Sequence, residues 1–401
     1  MMEGKMKILH ISDNMIFGYG GGSLEERKIF DGLKQYSSLN GAELRTVTID
    51  PPFAESLIPL QIEKSRRDDY ASRLIGHSSY MYFVWKRVKK KVLAFRPDVV
   101  VLGRTRLGFI AKDIRHLLPE AVIVCDVDNV EYDYVDGYFS GKKSFSRLMS
   151  VWLEKKCTYR DELMAFRYSD AVFYLTERDM VRAHEVYDFK VPCEEIIPIC
   201  IEEGKKLRKL REKKDVVFIG SLGYDSNSSA VTSFINDVWK PFFEKNGDVE
   251  LVIGGSNPGS DLENLINSIP NAILVKDFAD ITDVVSSASL MTAPIRQGAG
   301  MKVKVAESLS LGLIVAASDE ALVGYEEALN DSPGKSIFKA NTTEEYVGAI
   351  EGFIGMSEQD LSSCSGNSIR LFNRYYDYGR SRRQISEVLE RAIKMKHGRK
   401  G

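Results

Sequence analysis

Short apolar stretches and longer amphipathic ones alternate along most of the chain. Strand-like stretches in the first half occupy residues 6–12, 43–50, 97–103, 121–126 and 170–175. Helix-like stretches fall between them, and a long one covers residues 144–168. Because buried strands that alternate with helices are typical of parallel sheets, this pattern predicts an α/β fold.

The alternation starts again in the second half of the chain. Five strand candidates are each followed by glycine or polar loop residues and then by a helix: DVVFIGS, VELVIGG, NAILVKDF, ASLMTAP and GLIVAAS. This pattern is typical of a doubly wound sheet. Between the halves, residues 202–215 are charged and poor in apolar side chains, as expected of a linker.

The chain is therefore divided into four predicted segments. We predict a Rossmann-like domain of residues 1–203, a linker of residues 204–214 and a second Rossmann-like domain of residues 215–355. Residues 356–401 have a helical, charged pattern and contain no further strand candidate, so we expect them to pack back on the first domain. Two such domains in series would face each other across a cleft at the carboxyl ends of their sheets, where ligands bind.

Composition and charge exclude several classes of protein. At 401 residues the chain is too long for one ordinary core, and 44% hydrophobic with 28% charged residues is typical of a globular protein. The formal net charge of −2 provides no basic field for nucleic acid. No apolar run reaches transmembrane length, the N-terminal run resembles a strand rather than a signal peptide, and the five cysteines form no CxxC pair. We therefore expect a cytoplasmic protein with reduced thiols.

The strongest chemical signal is the segment APIRQGAGMKVKVAESLSLGLIVAAS, residues 293–318. A strand ends, a glycine-rich loop at residues 298–300 follows, and a helix begins near Lys302. Glycine lets backbone amides approach an anion closely, and a helix N-terminus carries partial positive charge. Lys302 and Lys304 add full charges, so the segment predicts a diphosphate cradle. Glu307, further along the helix, is placed to accept the hydroxyls of a ribose.

This segment resembles the donor-site motif of the group 1 (family 4-like) retaining glycosyltransferases of the GT-B fold, in particular the pattern GxGx(R/K)xKxxEAxxxGxPVVA. FIGSLGYDSNSSAVTSF, GSNPG and VKDFADI resemble the preceding strands and loops of that family, so the resemblance covers most of residues 215–325. It implies that Glu307 binds the ribose of a nucleotide sugar, that Lys302 and Lys304 bind the diphosphate, and that Phe278 lies beside the nucleobase. The donor site implied by the resemblance comprises Gly21, Gly22, Phe278, Arg296, Gly298, Ala299, Gly300, Met301, Lys302, Lys304 and Glu307.

The sequence departs from the family pattern in two places. Many relatives carry an earlier acidic residue that touches the transferred sugar, and the loop of residues 296–300 occupies that position here. The common Arg/Lys pair after the first strand of the second domain is absent from SLGYDSNSS. Lys302 and Lys304 must therefore supply that charge.

A second glycine-rich loop, from Gly18 to Ser23, follows the first strand and precedes a helix. By itself this loop is compatible with a simple turn, and it lacks the GxGxxG spacing of dinucleotide-binding loops. Within the resemblance it corresponds to the family's first loop, whose amides approach the diphosphate and the acceptor. This correspondence implies roles for Gly21 and Gly22.

The acidic run from Asp126 to Glu131 ends another predicted strand and has three interpretations. As a DxD motif, Asp126 and Asp128 would hold a divalent metal in a GT-A transferase. Relatives of the group 1 type often have DxHNVE here, with Asp128 in place of the histidine. Because an ionised Asp cannot donate a hydrogen bond, either the donor sugar differs or Asp128 serves the acceptor. The third interpretation is simple turn capping.

A basic and aromatic run extends from Trp85 to Lys91, within a stretch whose apolar residues have helical spacing. Its basic side chains form either a solvated face or a peripheral contact with anionic lipid, worth on the order of 1 kcal/mol per basic residue. Transferases that extend lipid-linked glycans often need such a surface.

These patterns together predict an enzyme. No HExxH pair, GxSxG elbow or P-loop occurs, which disfavours hydrolase and NTPase chemistry. The resemblance implies transfer of a sugar from a nucleotide sugar to a glycan, lipid-linked or other acceptor, with retention. It implies no metal or other cofactor, because Lys302 and Lys304 take the metal's place, and it makes these lysines and Asp128 the catalytic candidates.

Two alternatives stay open. A nucleotide-sugar 2-epimerase shares the fold, but the acid and base side chains that it needs are not located in the sequence. A catalytically silent subunit that binds a partner transferase is favoured by the missing histidine at Asp128 and opposed by the intact motif around Lys302 and Glu307.

Overall fold

The computed structural model describes residues 5–18, 20–59, 61–63, 66–138, 145–203, 214–247, 249–278, 280–286 and 289–398. The predicted linker lies outside the described residues except for residue 214. The chain divides into two compact units, Met1–Ile199 with Tyr378–Gly401 and Cys200–Asp377.

The described part of the first unit contains a six-stranded parallel sheet with the order β2-β1-β3-β4-β5-β6. Its strands are β1 (Lys7–Ile11), β2 (Glu43–Val47), β3 (Val99–Leu102), β4 (Val122–Val127), β5 (Ala171–Tyr174) and β6 (Cys193–Ile196). The helices that cover it are α1 (Gly21–Leu39), α2 (Arg66–Leu74), α3 (Met81–Phe95), α4 (Gly108–Leu117), α5 (Glu131–Tyr138), α6 (Phe145–Tyr168) and α7 (Glu177–Val186), with a 3₁₀ turn at Thr105–Leu107.

The second unit repeats this architecture, with the order β12-β11-β10-β7-β8-β9 among its described strands. These are β7 (Asp215–Ile219), β8 (Glu250–Gly254), β9 (Ala272–Val275), β10 (Ser289–Ala293), β11 (Ile314–Ala317) and β12 (Ile337–Lys339). Its α-helices are α8 (Asp225–Ser233), α9 (Lys240–Phe243), α10 (Ser260–Asn267), α11 (Val303–Ser310), α12 (Glu326–Asp331), α13 (Thr343–Gly355) and α14 (Glu358–Tyr375). A π-helix at Phe234–Trp239 and a 3₁₀ turn at Ile281–Asp283 complete it.

The C-terminal segment that the sequence suggested as one block is divided between the units. Helix α14 packs in the second unit, where Ser368 Oγ donates to the Leu313 carbonyl at 2.8 Å. The last helix, α15 (Tyr378–Gly398), packs against α1 in the first unit. Arg382 donates to both carboxylate oxygens of Asp31, at 2.6 and 2.9 Å. The helical part of residues 356–377 therefore belongs to the second unit, because the unit boundary lies between α14 and α15.

Alternation along the buried strands places side chains on both faces of the first sheet. On β1, Leu9 packs into the core on one face and Ile8 into the core on the other; Val100 and Val101 divide in the same way on β3. Both faces are covered by helices, as near-continuous apolar strands require. The predicted α/β class with two parallel sheets is confirmed. Since all strands of each sheet run in one direction, their carboxyl ends gather the polar loops at one edge.

Candidate functional site

The predicted phosphate loop leaves the carboxyl end of β10 and leads into α11. Gly298 and Gly300 have φ angles of 147° and 61°, a region that favours glycine. Helix α11 begins at Val303, and its N-cap residue Lys302 provides no side-chain cap. The first amides of a helix point out of its N-terminus, so those of α11 face this loop.

Lys302 braces the loop. Its Nζ donates to the carbonyls of Ala299 at 3.1 Å and Gly300 at 2.9 Å, and it forms an ion pair with Glu320 Oε1 at 3.2 Å. The predicted charge is therefore at the loop, but part of it is neutralised by a carboxylate that the sequence interpretation did not include.

Lys304 lies at the ends of the central strands. Its Nζ donates to Asn227 Oδ1 at 2.9 Å and lies 4.0 Å from the centre of the Phe218 ring. A Cβ placed on Gly220 would lie 2.9 Å from the same Nζ, so glycine makes room for the ammonium. Burial lowers the pKa of Lys304 to about 7, assisted by the charge of Lys302 and opposed by Glu307. At neutral pH this side chain is close to half-protonated, a state in which a nearby anion would favour the charged form.

Glu307 lies one turn after Lys304 on α11 and is partly buried. Burial raises the pKa of its carboxyl group, and the charge of Lys304 opposes that effect. Among the described residues, no side chain or amide donates a hydrogen bond to its carboxylate, and Lys304 bonds to Asn227 instead. Its oxygens therefore keep their capacity to accept ligand hydroxyls.

The other predicted donor residues of the second unit differ in how far their side chains are exposed. Phe278 follows β9 and packs at the end of β8, where a Cβ on Gly254 would lie 3.0 Å from its ring. Arg296 is exposed. Met301 is buried against Gly324, so only its backbone is placed to meet a ligand.

In the first unit, the described glycines 20–22 of the second glycine-rich loop lie at the start of α1. Gly20 has a φ of 93° and precedes the first residue of α1, Gly21. A Cβ on Gly22 would lie 2.8 Å from Asn14 Nδ2 and 3.4 Å from an Arg104 nitrogen. A side chain at position 22 would therefore have to displace the Asn14 amide.

Asp126 and Asp128 face different partners. Asp126 is buried beside Glu25 and Lys28. Burial raises the pKa of Asp126 well above its usual range, and it also raises the pKa of Glu25. Asp128 accepts from Arg104 at 3.0 Å. Burial raises the pKa of Asp128 to about 7, although Arg104 opposes this. Across the described part of the chain, no group of three or more His, Cys, Asp or Glu side chains is arranged to hold a metal ion.

An alternating network of arginines and carboxylates lies beside Asp128 and was not predicted from the sequence. Arg106 donates to Glu131 at 2.8 Å and to Glu154 at 2.6 Å, and Glu154 also pairs with Arg73. Arg104 lies between Asp128 and Glu131. These residues follow β3, begin α5 and lie on α2 and α6, so no local motif marks them.

Comparisons with known proteins gave one family match and several structural matches. Residues 213–355 match the family model described as Glycosyl transferases group 1. A glycosyltransferase from Rickettsia africae superimposes with a TM-score of 0.66 at 11% identity, over 98% of this chain and 99% of that one. HepE from Anabaena, crystallised with UDP and glucose, gives 0.63 at 13% identity, over 96% and 99%. WaaG, a glycosyltransferase involved in lipopolysaccharide biosynthesis, gives 0.64 at 14% identity, over 95% and 99%.

This chain has the GT-B fold. At these identities the likeness of the structures establishes the fold and nothing finer. No match to a curated protein sequence was found. The family match lies within the second unit, which carries Lys304 and Glu307, and it extends from β7 to α13.

The predicted lipid-facing run from Trp85 to Lys91 needs a correction. Trp85 is buried, and its indole donates to Asp113 at 2.7 Å; Lys89 also bonds to Asp113, at 2.6 Å. The aromatic part of the run therefore belongs to the core. The remaining exposed residues are basic: Lys86, Arg87, Lys90 and Lys91. Among the described helices, none combines the length and apolarity needed to cross a bilayer.

Proposed function

We propose that this protein is a glycosyltransferase that uses a nucleoside diphosphate sugar bound by its second unit. The observation that carries the proposal is the arrangement around α11. A loop with two left-handed glycines, the ammonium of Lys304 and the unbonded carboxylate of Glu307 lie along one helix start, within the stretch that matches the family model. The glycine loop and the Lys304 ammonium suit a diphosphate, and the Glu307 carboxylate suits the hydroxyls of a ribose.

In the proposed reaction, the bond between the anomeric carbon and the diphosphate oxygen breaks, and the electron pair stays with the diphosphate. An acceptor hydroxyl oxygen bonds to the anomeric carbon, and its proton passes to the departing diphosphate. Lys304, Lys302 and the start of α11 stabilise the developing negative charge, which in a water-poor site is the largest single contribution that a protein can make. We further propose that transfer proceeds with retention of configuration, as the resemblance of the motif around Lys302 and Glu307 implies. We also propose a glycan or lipid-linked acceptor held by the first unit, near Asp128.

A thermal-shift screen of the full chain with UDP, GDP, ADP and CMP sugars tests this proposal. UDP and UDP-glucose are the first probes, because HepE was crystallised with both. We expect one nucleotide class to raise the melting temperature. Slow release of nucleotide from the donor without an acceptor would then separate an enzyme from a silent subunit, which binds the donor and releases nothing. Absence of binding by all four classes, or binding of the CMP sugar alone, which carries a single phosphate, would contradict the proposal.

Replacing Glu307 with Ala is expected to weaken donor binding by roughly 1.5–3 kcal/mol, because charged hydrogen bonds to the ribose are lost. The chain should fold normally, since the carboxylate accepts no internal hydrogen bond among the described residues. Calorimetric titration with UDP and with its 2′,3′-dideoxy analogue measures both effects. A variant that still prefers the ribose form as strongly as the wild type would show that Glu307 does not bind the ribose. Glu263→Ala, which removes a partly buried carboxylate of α10 that pairs with Lys276, is the matched control.

Turnover is expected to persist in excess chelator. The lysines at α11 supply the positive charge that a metal would supply, and Asp126 and Asp128 face different partners. Initial rates in EDTA, with and without added Mg²⁺ or Mn²⁺, measure this. Loss of turnover in EDTA that Mn²⁺ restores would mean that a metal takes part and that charge stabilisation by lysine is insufficient.

A further inference from the structure

The first unit contains a cavity of about 270 Å³ beside the arginine and carboxylate network. We propose that this cavity binds an uncharged, hydroxyl-rich group, the sugar unit of the acceptor, and that Asp13 recognises one of its hydroxyls. The acceptor role rests on the proposed function, whereas the binding chemistry rests on the cavity alone.

The charges that line the cavity determine which ligands it admits. Four carboxylates face it, from Asp13, Asp69, Glu131 and Glu154, against the three guanidinium groups of Arg73, Arg104 and Arg106. Each guanidinium already has carboxylate partners: Arg73 pairs with Asp69 and Glu154, Arg106 with Glu131 and Glu154, and Arg104 with Asp128. A phosphate or carboxylate ligand would enter a region of negative balance with no uncommitted cation. Apart from Val135, every residue that lines the cavity carries a polar or charged group, which disfavours a wholly apolar ligand.

Asp13 provides the specific signal for a ligand. Its side chain is only 9% exposed. Oδ2 accepts from Ser79 Oγ at 3.2 Å, whereas the buried Oδ1 accepts no hydrogen bond and lies 3.8 Å from Arg104 Nε. A buried carboxylate oxygen without a donor is costly, and a ligand hydroxyl in the cavity would satisfy it.

Saturation-transfer NMR on the full chain, without donor, tests the proposal. The probes are the methyl glycosides of glucose, galactose and mannose, compared with glucose 6-phosphate and methyl glucuronoside as anionic counterparts. We expect at least one methyl glycoside to bind and both anions to bind more weakly. Asp13→Ala should weaken that binding about tenfold, as expected for loss of a hydrogen bond to a charged group. Asp13→Asn, which removes one negative charge, should reduce the difference in affinity between the methyl glycosides and the anionic probes. Asp113→Asn, on the outer side of α4, is the control for an Asp substitution outside the cavity.

Three results would overturn the proposal: no methyl glycoside binds, an anionic probe binds at least as well, or Asp13→Ala leaves glycoside binding unchanged. These results are distinguishable from failure of the proposed function. If glycosides bind but no nucleotide sugar does, the cavity is real and the transferase function is wrong. If UDP binds and no glycoside does, the proposal for the cavity is wrong, whereas the proposed nucleotide-sugar site stands.

A second, independent observation concerns the outer surface of α2 and α6. On α6, the three acidic residues, Glu154, Asp161 and Glu162, are buried. The described exposed residues of that helix are instead apolar, aromatic, basic or serine: Leu148, Met149, Ser150, Trp152, Lys156, Tyr159, Arg160 and Arg167. Leu148, Met149 and Trp152 are 54%, 49% and 57% exposed. A soluble surface normally shows the opposite distribution of acidic and apolar residues.

Helix α2 continues this surface. Arg160 of α6 donates to the Gly76 carbonyl at 3.3 Å and Cys157 to that of Arg73, which places the end of α2 beside α6. The exposed side chains of α2 and the residue after it are Arg66, Arg67, Tyr70, Leu74 and Ile75. Its two acidic residues are partly buried, and Asp68 and Asp69 pair with Arg87 and Arg73.

We infer that these exposed faces of α2 and α6 form one docking surface for a membrane with anionic lipid. Apolar and tryptophan side chains insert at the headgroup boundary, and the surrounding basic groups complement lipid phosphate. Carboxylates would oppose such contact, but those of α6 are buried, and those of α2, of which Asp68 is the more exposed, are paired with arginines. In this inference Trp152, rather than the buried Trp85, is the tryptophan that contacts lipid.

The distribution of tryptophans makes the test direct. The chain has three, and Trp85 and Trp239 are buried, so Trp152 dominates any solvent-sensitive emission. Adding phosphatidylcholine vesicles that contain phosphatidylglycerol to the full chain should shift the emission to the blue, and brominated lipid should quench it. Pure phosphatidylcholine should have less effect. Leu148→Ser with Trp152→Ser should abolish co-sedimentation with the anionic vesicles, and Lys156→Ala should weaken it about fivefold. Leu39→Ser, at the exposed end of α1, is the control.

Unchanged emission of the wild type, or full vesicle binding by the double variant, would overturn the inference. Sedimentation velocity without lipid tests a second copy of the chain as the occupant. A dimer that the double variant dissociates would assign the surface to self-association and would also overturn it.

Discussion

Arg106→Met is expected to lower the free energy of unfolding of the first unit by about 3–5 kcal/mol, the usual cost of breaking a buried ion pair. Arg106 is largely buried and donates to Glu131, to Glu154 and to the Ser78 carbonyl. Burial disfavours its charge, but the two carboxylates raise its pKa in spite of that. Methionine fills similar space and leaves two buried carboxylates without their shared cation.

Urea unfolding followed by tryptophan fluorescence in a Trp239→Phe background measures this effect, because the remaining tryptophans both lie in the first unit. Arg182→Met is the matched control. Arg182 donates to both oxygens of Asp133, at 2.6 and 3.0 Å, but it is exposed, so its loss should have a much smaller effect. Adding Glu131→Gln and Glu154→Gln to Arg106→Met should recover part of the stability. An Arg106→Met chain as stable as the Arg182→Met chain would mean that the network is effectively solvated.

Most strands could be predicted from the sequence, because a short apolar run between polar loops forms few structures other than a buried strand. Two edge strands, β6 and β12, were missed, because CEEI contains two charged residues and IFK is only three residues long. Trp85 illustrates a different failure. It lies four residues after Met81 and three before Val88, and therefore on the same buried face, yet the neighbouring lysines suggested a surface residue.

Contacts between distant side chains explain what was missed at the candidate sites. Asn227 and Lys304 are 77 positions apart, and only the parallel sheet brings the starts of α8 and α11 together. The arginines beside Asp128 resemble ordinary surface charges in the sequence, because nothing local shows that carboxylates from α5 and α6 face them. The loop around Gly298 was predictable for the opposite reason, since its glycines, lysines and helix start are contiguous.

Lys304→Met is expected to weaken binding of UDP-glucose by roughly 1.5–3 kcal/mol near pH 7 if UDP is the nucleotide, the range for a charged hydrogen bond. The size of the effect should depend on pH. In the free protein, burial holds the pKa of Lys304 at about 7, so the ammonium is lost as the pH rises through that value. A bound diphosphate favours the ammonium and raises that pKa. Binding above about pH 7 therefore requires uptake of a proton, and affinity should fall about tenfold per pH unit until the pKa of the bound state is reached.

Calorimetric titrations between about pH 6.5 and 9, in buffers with different ionisation enthalpies, measure both the affinity and the proton uptake. Both phosphates of UDP-glucose are esterified, so the charge of its diphosphate is constant over this range. Lys304→Met should remove the pH dependence together with the proton uptake. Lys302→Ala should keep the dependence but move it to higher pH, because the charge of Lys302 contributes to lowering the pKa of Lys304. Wild-type affinity that is independent of pH, or a Lys304→Met variant with the wild-type dependence, would mean that the diphosphate does not bind beside Lys304.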